Sequence, residues 1–253
     1  MNIDMPSLPQ REALRKLWQE AFGDSDDFLD AFFRTAFAPQ RCRCVYVDGA
    51  LAAALYWFDC EYDGKRLAYV YAVATAKKFR GRGICRALMA DTHGHLEKLG
   101  YQGAVLVPAQ PGLFAFYGAM GYTPCCAARE FVCAPGEEPA VVYPVDTDAY
   151  AKLRRQLLPA GGIVQEGENL RFLQTQVKLY AGQGILLAGN EEDGVFRAAE
   201  LLGDHTAAPG ILRTLGCVRG SFRVPGASAP YAMYHPLGNS RLSPPEYLGF
   251  VFN

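Results

Sequence analysis

The residue types and spacing best suited to chemistry in this sequence lie in the stretch Arg80-Gly81-Arg82-Gly83-Ile84-Cys85. An apolar run at 67–74 precedes it and a helix-patterned stretch at 84–99 follows, so the chain turns there from strand into helix through two glycines. A helix entered this way leaves its first backbone N–H groups unpaired, and the helix dipole adds partial positive charge at the same point. Such a concavity holds phosphate. Gly81 and Gly83 carry no Cβ, so an anion can come close to the backbone, and Lys77, Lys78, Arg80, Arg82 and Arg86 set cations around it. The predicted ligand is a phosphate-bearing cofactor. The turn has no Gly-Lys-Ser or Gly-Lys-Thr, no G-x-G-x-x-G and no G-x-S-x-G, which sets aside a nucleotide P-loop, a dinucleotide fingerprint and a nucleophile elbow.

The elements that must hold this turn follow from periodicity. Residues 10–22 repeat Leu14, Leu17, Trp18, Ala21 and Phe22 at helical spacing, with Gly23 as a stop and Asp24-Ser25-Asp26-Asp27 as caps for a second helix bearing Phe28, Leu29, Phe32, Phe33 and Ala36. That aromatic stripe reads first as core packing and second as the lining of a cleft at Phe32 or Phe33. Asp48-Gly49 and Asp63-Gly64 supply the positive-φ pairs of short hairpins, so 44–47, 50–62 and 67–74 form an antiparallel meander ending at the glycine turn. After the helix, Gly100 stops it and the short apolar run 103–107 reads as a strand buried on both faces, parallel to the last meander strand. A short helix at 113–120 ends in Gly121-Tyr122, and 125–133 with 140–143 reads as a further hairpin around Pro135-Gly136-Glu137-Glu138-Pro139. Beyond Pro144 the pattern restarts, with helices at 148–158 and 170–180, a short one at 207–215, and strands at 184–189, 195–202, 220–224, 231–234 and 247–252.

Composition narrows the function classes. The 253 residues are half apolar, enough for one large domain or two modest ones, and 25 basic against 26 acidic residues give a formal charge of −1. Near-neutrality and the absence of aromatic-basic alternation argue against a nucleic-acid partner or an anionic membrane surface. The apolar stretch 51–58 is far short of a spanning helix, and the N-terminus lacks a basic-then-apolar leader pattern, so the chain reads as cytoplasmic. Eight cysteines form no paired C-x-x-C knuckles and no HExxH accompanies them, so no metal is expected. Cys85 has an electropositive setting, yet it sits where a small residue must pack a helix on a sheet, and packing is the favoured reading.

This order of parts resembles the GNAT superfamily of acyl-CoA-dependent N-acyltransferases over most of residues 10–145. Two early helices, a meander, a glycine turn, a helix, a buried strand, a short helix carrying Phe116-Tyr117 and then Met120-Gly121-Tyr122 follow one another. The family's pyrophosphate signature, Arg or Gln, two residues, Gly, one residue, Gly or Ala, falls on Arg80, Gly83 and Cys85, with Cys85 departing from the small residue at the last place. The resemblance implies an α/β (α+β) GNAT fold at 1–145 with a mixed, mostly antiparallel central sheet. At 146–253 it implies a smaller, degenerate GNAT-like lobe, similar in element order to tandem acetyltransferases of the enhanced-intracellular-survival family. A sterol-carrier-like α+β lobe stays open for that half, which has no R-x-x-G-x-G of its own.

The same resemblance implies acetyl transfer from acetyl-CoA, as cosubstrate, to a primary amine of a small molecule, peptide or protein by direct attack. Val73, Ala74 and Thr75 match the strand edge that pairs with the pantetheine and turns an N–H toward the thioester oxygen. Gly81, Arg82, Gly83, Ile84, Cys85 and Arg86 match the phosphate turn, and Tyr117 matches the tyrosine that protonates the leaving thiolate. A phenol near ~10 and a thiol near ~8.5 are close enough for that transfer. Asp59 and Glu61, at strand spacing near the active-site end of the meander, are candidate bases, though a solvated strand face is their first reading. By analogy with the aminoglycoside-acetylating relatives, the C-terminal carboxylate of Asn253 is a further candidate. The alternative function is a non-catalytic acyl-CoA-binding regulatory module.

Overall fold

The computed structural model describes residues 1–7, 10–227 and 229–252. Two compact units interleave along the sequence: residues 1–60, 64–123 and 234–243 form the first, and residues 61–63, 124–233 and 244–253 the second. Among the described residues no helix is long and apolar enough to cross a membrane.

In chain order the first unit carries β1 (Asn2–Asp4), α1 (Arg11–Phe22), α2 (Asp26–Thr35), β2 (Cys42–Val47), β3 (Ala50–Tyr62), β4 (Lys65–Thr75), α3 (Ile84–Lys98), β5 (Gly103–Leu106), α4 (Gly112–Gly118) and the start of β6 (Thr123–Cys125). Local chemistry explains most of these bounds. Gly23, at φ 78°, ends α1 and returns its N–H to the Gln19 carbonyl, and Ser25 opens α2 by accepting the Phe28 N–H at 3.2 Å. Asp48 and Gly49, then Asp63 and Gly64, all have positive φ and close the two hairpins. Trp18, Phe32, Phe33 and Tyr56 are buried together, with Trp18 and Phe32 ring centroids 4.7 Å apart, so the aromatic stripe of α2 is core.

The second unit carries β7 (Ala128–Cys133), β8 (Val142–Pro144), α5 (Thr147–Leu157), β9 (Val164–Gln165), α6 (Glu168–Leu173), β10 (Lys178–Gly182), β11 (Ile185–Glu192), β12 (Val195–Gly203), α7 (Ala208–Leu215) and β13 (Arg219–Pro225). A last strand, β14 (Ala232–Pro236), follows, and its residues from Tyr234 onward belong to the first unit. The first sheet runs β1-β2-β3-β4-β5-β14-β6 and the second β7-β13-β12-β11-β10-β8. The first is mixed, with β4 and β5 parallel and β1, β2 and β3 antiparallel. Gly103 has to be glycine because β14 lies against β5: a Cβ there would run into the Tyr234 ring.

Three sequence expectations are corrected. Residues 125–133 and 140–143 do not pair as a hairpin: β7 pairs with β13 and β8 with β10, at opposite edges of the second sheet. The helix expected over 170–180 stops at Leu173, and β10 begins at Lys178 because Leu179 and Ala181 alternate inward and antiparallel pairing with β11 is available. Residues 247–252 are not a strand. Gly249 adopts φ 91°, and the carbonyls of Leu248 and Phe250 accept from the side chains of Arg154 and Gln165 instead of from a neighbouring strand.

Those acceptors belong to a buried polar knot inside the second unit. Arg154, 2 % exposed, meets the fully buried Glu200 of β12 with Nε 2.8 Å from Oε2 and Nη2 3.0 Å from Oε1. The hydroxyls of Tyr150 and Tyr247 each donate to Glu200 at 3.1 Å, and Arg154 also reaches the Ile163 carbonyl at 3.0 Å. Burial by itself lowers the affinity of the guanidinium for its proton, and the charge of Glu200 overrides that and raises it.

Candidate active site

The last residues of β4 form the first wall. Pairing between β4 and β5 spans Leu67–Tyr69 against Gly103–Val105; β4 then runs on to Thr75 while β5 stops at Leu106. Ala72 interrupts the pleat with φ 48°, an uncommon value for a residue with a Cβ, and it sits where the two strands part. Val73 and Thr75 are half-buried and Ala74 is buried. The Ala76 N–H bonds the Ala52 carbonyl at 2.9 Å, so the far end of β4 remains tied to β3.

A 3-10 turn, Lys77–Phe79, leads from this strand to the glycines. Phe79 is buried beneath it, with the Lys78 ammonium 4.9 Å and the Arg82 guanidinium 5.6 Å from its ring. The Lys77 N–H donates to Glu20 Oε1 at 2.6 Å, and Arg80 Nε donates to the Thr75 carbonyl at 2.9 Å, which ties the start of the turn to the end of β4. Gly81 and Gly83 have φ of 74° and 73°, and a Cβ built on either would meet nothing within 4 Å. Gly83 caps α3 without any side-chain hydrogen bond, and the first intrahelical bond is Ala87 N–H to Gly83 O at 3.0 Å. The N–H groups of Ile84, Cys85 and Arg86 therefore precede the helical ladder. Lys77, Lys78, Arg80, Arg82 and Arg86 are exposed around them, Ile84 is buried, and Cys85 is half-buried. Burial pushes the Cys85 thiol up to about 11, so it stays protonated and serves as packing.

Tyr117 stands at the end of α4, buried, with its ring edge-on to Tyr122 at 5.9 Å and to Phe116 at 5.2 Å. Burial first, and the nearby Cys85 thiol second, raise its pKa above the ordinary phenol range, which keeps its proton in place at neutral pH. The structure thus brings Tyr117 and Cys85 together, at the start of α3.

The two strand carboxylates fare differently. Asp59 does not lie at the active-site end of the meander. Because the Asp63-Gly64 turn makes β3 and β4 antiparallel, Asp59 faces the beginning of β4, about seven residues and roughly 20 Å along β3 from Ala52. There it pairs with Arg41 at 3.5 Å and Arg66 at 3.6 Å and accepts the Tyr101 hydroxyl. Glu61 is bound to Arg155 at 3.2 Å within the second unit. The third candidate base, the carboxylate of Asn253, lies outside the described residues.

Sequence reasoning missed three features here. The positive φ at Ala72 has no residue signature. His93, four residues after the buried Met89 on α3, has its Nε2 2.8 Å from the Tyr122 hydroxyl. His235, at the end of β14, stacks on His93 at 4.3 Å and 16°. Helical spacing from Met89 is the signal that could have placed His93 on the inner face; nothing local marks His235.

Comparison with known proteins bears on the fold that carries these residues. Residues 9–125 match the family model described as an acetyltransferase (GNAT) domain. No curated protein sequence matches the chain. Among solved structures, a GCN5-related N-acetyltransferase from Kribbella flavida superposes with a TM-score of 0.70 at 16% identity, over 92% of this chain and 70% of that one. A GCN5-related N-acetyltransferase from Anabaena variabilis ATCC 29413 gives 0.73 at 16% identity, over 92% and 72%. Eis1 from Mycobacterium abscessus gives 0.67 at 12% identity, over 91% and 66%. At such identities the likeness is one of fold, and it extends through both units. The match to the GNAT acetyltransferase domain thus spans residues 9–125, and over its length the chain shares the fold of these relatives.

Proposed function

We propose that this chain is an N-acetyltransferase that moves an acetyl group from acetyl-CoA to a primary amine by direct attack in a ternary complex. One observation carries the reading: helix α3 opens without a side-chain cap, onto free space at Gly81 and Gly83, beside the place where β4 leaves β5. N–H groups of residues 81–86 and the exposed Arg82 and Arg86 suit a diphosphate. Arg80 has a second task, since its Nε already closes the turn onto Thr75. The edge of β4 beyond its pairing with β5, at Val73, Ala74 and Thr75, suits a pantetheine arm and a backbone N–H turned to the thioester oxygen as charge develops on it.

In this mechanism the neutral amine nitrogen bonds to the thioester carbon as the carbon–sulfur bond breaks. Tyr117 then gives its phenolic proton to the departing sulfur, and the extra proton left on the nitrogen passes to water, from which the phenolate is reprotonated. Its raised pKa supports the role, because the group still holds its proton at neutral pH. With Asp59 and Glu61 engaged by arginines, water is the simplest route by which the ammonium loses its proton first.

Calorimetry with coenzyme A, followed by thiol release from acetyl-CoA over a panel of amines, tests this reading. Binding together with amine-dependent release is expected, and Tyr117→Phe should lower kcat by about 100-fold while leaving coenzyme A affinity unchanged. No affinity for coenzyme A would overturn the proposal. Tight binding with no release across the panel would replace it with the regulatory module.

A further inference from the structure

Tyr117 is set by what stands behind it. The chain leaves α4 through a tight turn in which Met120 N–H bonds the Tyr117 carbonyl at 2.9 Å and Gly121 N–H bonds the Gly118 carbonyl at 3.0 Å, bringing Tyr122 edge-on to the Tyr117 ring. Two histidines grip that turn. His93, from α3, meets the Tyr122 hydroxyl at 2.8 Å. His235, from β14, is 3.0 Å from the Gly121 carbonyl through Nδ1, lies 5.1 Å from the Tyr122 ring and stacks flat on His93. The fit is close, since a Cβ at Gly121 would come within 3.0 Å of the His235 ring. Tyr122 is fully enclosed by this arrangement, and helix α3 serves both sites: its first turn faces the proposed diphosphate, and His93 lies nine residues, about 13 Å, further along.

We propose that His93 and His235 are positioning residues for Tyr117, acting through Tyr122 to fix the phenol where the proton must be delivered. The inference rests on the reading of Tyr117 as proton donor. The pair touches neither the proposed coenzyme nor the reacting atoms. It holds the Gly121-Tyr122 backing in one place, so that Tyr117 has one ring orientation rather than several. His93 is kept neutral by burial and by its neighbour His235, which preserves a lone pair on Nε2 as acceptor for the Tyr122 hydroxyl.

The test uses the full chain with His93→Leu and His93→Gln, each alone and combined with Tyr117→Phe. His93→Leu is expected to lower kcat about tenfold with the coenzyme A dissociation constant within about twofold of wild type, because the phosphate turn is not disturbed. His93→Gln should recover most of that loss, since its amide can still bond the Tyr122 hydroxyl. In the Tyr117→Phe background His93→Leu should cost almost nothing more; a loss that multiplies with that of Tyr117→Phe would overturn the inference. A second readout needs no turnover. The tyrosinate absorbance of Tyr117, taken as the difference from Tyr117→Phe, should titrate at lower pH in His93→Leu, because the phenol is less enclosed. An unmoved titration and an unmoved kcat overturn the proposal. A moved titration in a protein that acetylates nothing upholds the positioning and defeats the acyl-transfer reading. Should His93→Leu fail to fold, His235→Phe keeps the stacked ring, loses the bond to Gly121, and is judged by the same two readouts.

Discussion

Each unit contains a strand–helix–strand segment with parallel strands, β4-α3-β5 in the first and β12-α7-β13 in the second, and they treat the helix entry differently. In both, the first strand outruns its partner: β4 continues past Tyr69, and β12 continues past Ala198 to Gly203. In the first, the helix starts uncapped at Gly83 with open space around it. In the second, the entry is occupied. Helix α7 has no side-chain cap of its own, but the 3-10 turn His205–Ala207 that leads into it is capped by Asp204, which accepts the Thr206 N–H at 2.9 Å and its hydroxyl at 2.6 Å and so sets a carboxylate before the helix; Pro209 removes a donor from the first turn of α7. The gap beside β12 is narrowed rather than closed: Gly249 packs against Glu200 and Arg154, and a cavity of 210 Å³ remains between Val251 and Ala198, Ala199, Ser221, Phe222 and Arg223. On the proposed reading, the same topology takes an anion where the helix entry carries no carboxylate, and serves as scaffold where the chain places its own carboxylate there.

The most severe way to break this contrast is to open the closed side. Glu200→Ala leaves the Arg154 guanidinium buried without its partner and strips an acceptor from Tyr150 and Tyr247. A loss of about 3–5 kcal/mol is expected in chemical denaturation, whereas replacing both partners together, Arg154→Met with Glu200→Leu, should restore most of it. If the single and double variants were equally destabilised, the knot would owe its effect to packing rather than to an uncompensated charge.

How much of this was legible in the sequence follows from range. The glycine turn, the Asp-Gly hairpins and the segment 67–107 could be read because each depends on φ preferences or periodicity within a few residues. The seat of β14 beside β5 could not, because Gly103 and Tyr234 are 131 positions apart and neither carries a local mark of the other. The splitting of β7 and β8 to opposite sheet edges, and the β10 strand in place of a helix, failed for the same reason: Val177-Lys178-Leu179-Tyr180-Ala181 suits either periodicity until β11 offers its backbone. Asp59 was misplaced by strand direction, since same-face spacing does not tell which end of an antiparallel strand faces the turn.

A smaller effect sharpens the comparison from within α3, which is open at its first turn and closed nine residues on. His93 has its pKa lowered to about 4 by burial and then by His235, while in the unfolded chain it titrates near ~6.5. Between those values the unfolded state takes up a proton that the folded state refuses. Stability is therefore full above about pH 6.5 and falls as the pH drops toward 4, by on the order of 3 kcal/mol for this one group. Urea unfolding at pH 7 and pH 4.5, read as the difference between wild type and His93→Gln, isolates the contribution. A difference that stays flat over that range would mean the imidazole is open to solvent and the enclosure around Tyr122 looser than its geometry implies.

The mildest perturbation addresses the open side itself. Gly83→Ala places a methyl where nothing lies within 4 Å, so no packing is disturbed; the cost to the fold is the left-handed backbone alone, φ 73°, about 1 kcal/mol. The methyl stands instead in the space proposed for the diphosphate. Coenzyme A affinity should fall about tenfold or more, which is about 1.4 kcal/mol or more, and calorimetry on a protein with nearly unchanged melting temperature would read it directly. Asp204→Ala, the matched change in the second unit, should leave that affinity where it was, because Pro209 still withholds its donor from the first turn of α7. An equal loss from both substitutions would mean that the glycine entry to α3 and the carboxylate-led entry to α7 do not differ as anion sites, and the open start of α3 would lose its claim to the coenzyme.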